Sequence, residues 1–180
     1  MPNLIVLCPV DSEEAKQALR SIIAHEGPVF MRLCRNPVPY LLPDSYKFEI
    51  GKGIVVKAGK DITLVSTGIM LERTLQAAEK LIEQGIEPRV IHISTLKPLD
   101  SELLVHAAQE TGALVTIEEH NTIGGLGSAV AGIISEKNPV PIIRVGIKDT
   151  FTRTGQYEEI LNNFGLSPDN IISAAKVGRN

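Results

Sequence analysis

Three short stretches of this sequence hold residue types able to do chemistry. Gly124-Gly125-Leu126-Gly127 stands between a strand and a helix, where backbone N–H groups can gather around an anion. It is neither GxGxxG nor a P-loop, because no Lys-Ser/Thr follows. The same glycines also read as a tight turn that lets Ser128, Ala129, Ala131 and Gly132 pack closely on a neighbour. Glu118-Glu119-His120 sits at the carboxyl end of a strand, where α/β sheets hold their ligands. A histidine beside two carboxylates can move protons, but no Ser or Cys nucleophile is placed to partner it. The trio reads equally as a loop cap or a subunit contact.

Arg32 and Arg35 leave a second strand just ahead of the proline-stiffened run NPVPYLLP. A guanidinium there suits two-point capture of phosphate or carboxylate. It suits a surface ion pair just as well, and spacing leaves both open. Arg153 in DTFTRTGQ reads as structural or interfacial. His92 alternates within a strand and His106 lies in a helix, so both read as structural. Cys8 and Cys34 flank apolar strands and read as buried, inert thiols. Two cysteines make neither a disulfide framework nor a zinc site. No cluster has metal-ligand spacing.

These residues must be carried by regular elements. Leu4–Leu7 is a short apolar strand, and Asp11 caps a helix with Glu14 three residues on, a variant capping box. Ala15, Ala18, Leu19, Ile22 and Ile23 fall on one helical face. Gly27-Pro28 stops the helix, and 29–33 is a second strand parallel to the first. Residues 1–35 thus form a β-α-β unit. Residues 36–60, with Pro37, Pro39 and Pro43, read as an interdomain linker followed by a small ribbon at Ile54–Val56.

From Asp61 a regular alternation begins. The spacing predicts strands at 62–65, 90–93, 113–117 and 142–145. The first of the intervening helices buries Leu71, Leu75, Ala78, Leu81 and Ile82, and turns Glu72, Arg73, Glu79 and Lys80 outward. The next is capped by Asp100 and closed by Gly112. A small-residue helix follows over 127–134. Ser167-Pro168 opens a last helix that Gly178 terminates. The expected fold is α/β: residues 61–180 form an open, mostly parallel sheet with helices on both faces, preceded by the 1–35 unit.

Composition narrows the function. A net charge of −3 without a Lys/Arg run argues against nucleic-acid binding. No apolar stretch approaches the roughly 20 residues of a membrane span. The start, MPNLIVLCPVDSEE, has no basic n-region and is not read as a secretory signal. Few cysteines fit a reduced, cytoplasmic setting. Aromatic residues are only 4% with no Trp, so stacking platforms are scarce.

Five segments in register carry a resemblance. PNLIVLCPVDSEEA with GPVFMRLCR, GKDITLVSTGIMLERTLQAAEKL, EPRVIHISTLKPLD, TIEEHNTIGGLGSAVA and DTFTRTGQYEEILNNFGLSPDNII together resemble the carboxyl-terminal part of transketolase. The resemblance is especially to the short bacterial or archaeal type made as two separate subunits. Deoxyxylulose-phosphate synthase and the beta subunits of 2-oxoacid dehydrogenases share this architecture. The resemblance implies a thiamine-diphosphate enzyme that moves a two-carbon ketol unit from a ketose phosphate to an aldose phosphate. It implies that residues 1–35 are the end of the pyrimidine-binding domain, and that 61–180 are the terminal domain, which contributes mainly to dimer packing. It implies that Arg35 contacts the substrate phosphate.

The resemblance further implies that the diphosphate, its Mg ion and the glutamate that activates the cofactor belong to parts outside these residues. No catalytic, cofactor-binding or metal-binding residue is therefore assigned here. The chain is expected to be inactive alone, with the N-terminal transketolase part as its partner and a homodimer as its assembly. The rival expectation is a self-standing α/β interaction module.

Overall fold

A computed structural model describes residues 1–179. Its elements run β1 (Ile5–Leu7), α1 (Ser12–Ile23), β2 (Val29–Met31), β3 (Ile54–Lys57), β4 (Ile62–Ser66), α2 (Met70–Glu83), β5 (Pro88–His92), β6 (Thr95–Lys97), α3 (Ser101–Thr111), β7 (Leu114–Asn121), α4 (Leu126–Lys137), β8 (Ile142–Ile147), α5 (Tyr157–Asn163) and α6 (Pro168–Arg179). They build two sheets. One has the order β2-β1-β6 and the other β3-β5-β4-β7-β8.

In the larger sheet β5, β4, β7 and β8 are parallel, and β3 joins β5 antiparallel at the edge. The expected ribbon at 54–56 is thus a strand of this sheet. Every residue of β4 is buried, as a parallel strand covered on both faces requires. On one face α2 and α6 bring Met70, Leu81, Ile171 and Ala175 against Ile62 and Leu64. On the other, α3 and α4 bring Leu104, Leu126 and Val130 against Val65 and Leu114. Full burial of each such Leu or Ile stabilises the fold by about 1.5–3 kcal/mol. Asp100 caps α3 by accepting from the Leu103 N–H at 3.1 Å, and Gly112 ends it at φ +69°.

The smaller sheet pairs β1 with β2 in parallel and β1 with β6 antiparallel. After β5 the chain therefore leaves one sheet and enters the other. β2 is the outer strand of its sheet, and Phe30 on it is 55% exposed. Asp11 caps α1, accepting from the N–H groups of Glu13 at 3.0 Å and Glu14 at 2.9 Å.

The structure corrects five sequence expectations. Glu14 does not close a capping box on Asp11; it is 1% exposed and accepts from the Val10 N–H. Leu19, Ile23 and Ile82, expected in the core, are exposed; for the first two, a three-stranded sheet is too narrow to cover the whole apolar face of α1, and Ile82 lies at the rim of the buried face of α2. Arg73 is buried rather than outward, because the unforeseen helix α5 folds back over α2. Its guanidinium donates to Asn162 Oδ1 at 2.8 Å and the Leu166 carbonyl at 3.0 Å, and pairs with Glu158. Gly178 lies inside α6, where an added Cβ would stand 2.8 Å from Ile143 Cδ1. The glycine brings the helix close to the sheet and does not end it. Cys34 is exposed, since β2 stops at Met31.

Candidate functional site

The parallel strands of both sheets end at a common cleft of about 620 Å³, bordered by Cys8, Arg32, Thr67, Glu119, His120 and Gly124. Arg32 spans the two sheets, donating from Nη2 to Glu119 Oε2 at 3.0 Å. This pair is partly exposed, with side-chain accessibilities of 39% and 22%. Burial pushes the Cys8 thiol up, against the opposing pull of the Arg32 cation. A thiol held protonated is a poor nucleophile, which agrees with reading Cys8 as inert.

The glycine cluster and the acidic trio meet here, but they satisfy each other. β7 runs on to Asn121, so Glu118 is its last buried residue. The Glu118 carboxylate accepts from the Leu126 N–H at 2.7 Å and the Gly127 N–H at 2.9 Å, at the start of α4. The anion at this helix N-terminus is the protein's own side chain. Burial raises the Glu118 pKa, and those two N–H groups oppose the rise. A Cβ on Gly125 would sit 1.9 Å from Glu118 Oε2, so the glycine is required by this contact. His120 is exposed, and its Nδ1 lies 3.1 Å from the Asn121 carbonyl. Among the described residues, no Ser, Thr or Cys side chain hydrogen-bonds to it.

The two candidate arginines are separated. Arg32 is committed to Glu119. Arg35 stands beyond β2, exposed, and among the described residues it forms no hydrogen bond or ion pair. Arg153 is likewise exposed, in the segment between β8 and α5.

Sequence reasoning missed a buried polar cluster at the junction of the sheets. The Glu14 carboxylate accepts from Val10 N–H at 2.7 Å and Tyr46 Oη at 2.8 Å, and His92 Nε2 lies at 2.9 Å. His92 is fully buried and its Nδ1 has no partner among the described residues. A carboxylate can only accept, so Nε2 carries the proton. Burial resists ionisation of Glu14, but the His92 ring and the Val10 and Tyr46 donors outweigh it and hold its pKa below the ordinary range. The available signal was Glu14 at N3 of a capped helix; its partner His92 lies 78 residues away.

Residues 51–171 match the family described as transketolase, C-terminal domain. The chain is 41% identical over 175 residues to the 6-deoxy-6-sulfo-D-fructose transketolase subunit of Clostridium sp. (strain MSTE9), covering 97% of this chain and 54% of that protein. It is 34% identical over 180 residues to the 1-deoxy-D-xylulose-5-phosphate synthase of Desulforudis audaxviator, covering 98% of this chain and 28% of that one. Among solved structures it is similar to a split-gene transketolase described as an inactive beta4 tetramer. That match has TM-score 0.96 and 41% identity, over 99% of this chain and 59% of the other. The chain thus spans about half the length of the transketolase subunits it matches. The matched residues make up most of the chain, and this chain belongs to the transketolase C-terminal domain family.

Proposed function

We propose that this chain is the C-terminal part of a thiamine-diphosphate-dependent transketolase assembly that transfers a two-carbon ketol unit between a ketose phosphate and an aldose phosphate. The observation that carries the reading is the near-complete overlay on a split-gene transketolase chain, of which this one spans 59%. The unpaired outer edge of β2 supports it, since a parallel strand wants a neighbour on each side. Residues 1–35, with β6, then complete the pyrimidine-binding domain with the N-terminal part, the segment before β3 links it to the terminal domain, and the larger sheet with its helices packs a homodimer.

The cofactor does not fit this chain's own residues. The helix N-terminus opened by glycines is filled by Glu118. Among the described residues no group of three or more His, Cys, Asp or Glu is placed to hold a metal ion. The diphosphate and its Mg ion are therefore assigned to the N-terminal part, and no chemical step is routed through them here. What these residues do is bind: Arg35, exposed and without a partner of its own, offers two parallel N–H donors to the substrate phosphate.

With thiamine diphosphate, Mg and sugar phosphates, the purified chain alone is expected to show no ketol transfer and no calorimetric binding of the cofactor. Adding the N-terminal part is expected to produce both. Turnover by this chain alone would overturn the assignment. In the complete assembly, Arg35→Ala is expected to raise KM for phosphorylated substrates about tenfold or more, with little effect on unphosphorylated ones. Equal effects on both would remove the phosphate role. The likeness to 1-deoxy-D-xylulose-5-phosphate synthase supports a second reading. Formation of deoxyxylulose phosphate in place of sugar-to-sugar ketol transfer would favour it.

A further inference from the structure

Arg35 lies at the start of a strap, residues 36–48, that has no regular structure yet is fastened along α1 at three points. Asp11, Glu14 and Gln17 fall three residues apart on one face of the helix and its cap. Asp11 Oδ2 accepts from the Leu41 N–H at 3.2 Å. Glu14 Oε1 accepts from Tyr46 Oη at 2.8 Å. Gln17 Oε1 accepts from the Phe48 N–H at 2.9 Å.

Of the three, Glu14 alone also reaches the larger sheet. Its Oε2 takes the Val10 N–H and faces His92 on β5. One carboxylate thereby joins the entry of α1, the far end of the strap and the five-stranded sheet. Arg35 has no side-chain partner among the described residues, so its place depends on the backbone on either side. On one side that backbone is β2, where Arg32 N–H donates to the Leu7 carbonyl at 2.9 Å. On the other it is the strap.

We propose that Glu14, held by His92, is a positioning residue for Arg35: it clamps the strap through Tyr46 and so sets where the guanidinium meets a substrate phosphate. The proposal rests on the phosphate role assigned to Arg35 above. The clamp touches neither substrate nor reacting atoms, so it acts on the binding of phosphorylated sugars and leaves the chemical step alone.

Tyr46→Phe removes the strap's side-chain bond to Glu14 while sparing the His92 contact and the packing of the ring. In the complete assembly it is expected to raise KM for phosphorylated substrates about fivefold, with kcat and the KM for unphosphorylated sugars within about twofold. In the isolated chain the Leu41 and Phe48 amides are expected to exchange about tenfold faster, with Tm falling less than in His92→Leu. His92→Gln, which keeps a donor toward Glu14, is expected to restore the wild-type pattern that His92→Leu loses.

The controls separate the two ideas. If Arg35→Ala discriminates between substrates but Tyr46→Phe shifts both KM values alike, or leaves the amides unchanged, the clamp is wrong and the phosphate role stands. If Arg35→Ala itself fails to discriminate, the phosphate role falls and the clamp with it.

Discussion

His92→Leu is expected to lower the free energy of unfolding by about 3–5 kcal/mol at neutral pH, the usual cost of stripping the partner from a buried charge. Glu14 is 1% exposed and His92 fully buried, so no water can replace the lost donor. The pH dependence gives a sharper check. In the wild type Glu14 titrates below its ordinary value of 4.5, so its contribution is complete above that pH. It is lost as pH falls through the depressed folded value. In His92→Leu the burial that already opposes ionisation meets less resistance, and the Glu14 pKa moves upward. Protonation then relieves the variant as pH falls, while the same fall weakens the wild type. Denaturant titrations from pH 7 to about pH 3 should show the stability gap closing as pH falls, first through the variant's raised Glu14 pKa and then through the depressed wild-type value. A gap that stays constant across this range would mean that Glu14 is not ionised as described.

Gly125→Ala carries the other large effect, about 3 kcal/mol of destabilisation. Its Cβ would lie 1.9 Å from Glu118 Oε2 and 2.7 Å from the Asn121 carbonyl oxygen. Glu118 cannot retreat without surrendering the Leu126 and Gly127 N–H groups, and Asn121 belongs to β7. Gly124 provides the contrast. It sits at φ +77° with nothing within 4 Å of an added Cβ, so Gly124→Ala meets only the left-handed backbone penalty of roughly 1–2 kcal/mol. Thermal or denaturant melts of the two variants decide the matter. Equal losses would show that the Glu118 contact does not set the requirement at position 125.

Much of the fold was legible because short-range rules govern it. The apolar runs 62–65 and 113–117 became β4 and the first half of β7, since a parallel strand buried on both faces needs continuous apolar residues. Asp11 and Asp100 marked helix starts, and Gly112 marked an end, because caps act within one turn. Long-range contacts were not legible. Arg73 shares its outward spacing with Glu72 and Lys80, and only the return of α5 buries it. β6 is three residues long, and its partner β1 lies about ninety positions earlier. At the candidate site, spacing identified Arg35 and the trio at 118–120 but could not tell an external anion from an internal one. Glu118 and the glycines were both in view; that one satisfies the other depends on the length of β7 and the turn after it.

The exchange of strands between the sheets bears on how the gene can be divided. A break after residue 60 leaves β3 on the first piece, uncovering β5, and leaves β6 on the second, uncovering β1. A break near residue 49 returns β3 to its sheet but still strips β1 of β6. No single cut in this region yields two self-sufficient products, so domain-swapped chimaeras that respect these contacts must carry residues 1–97 together.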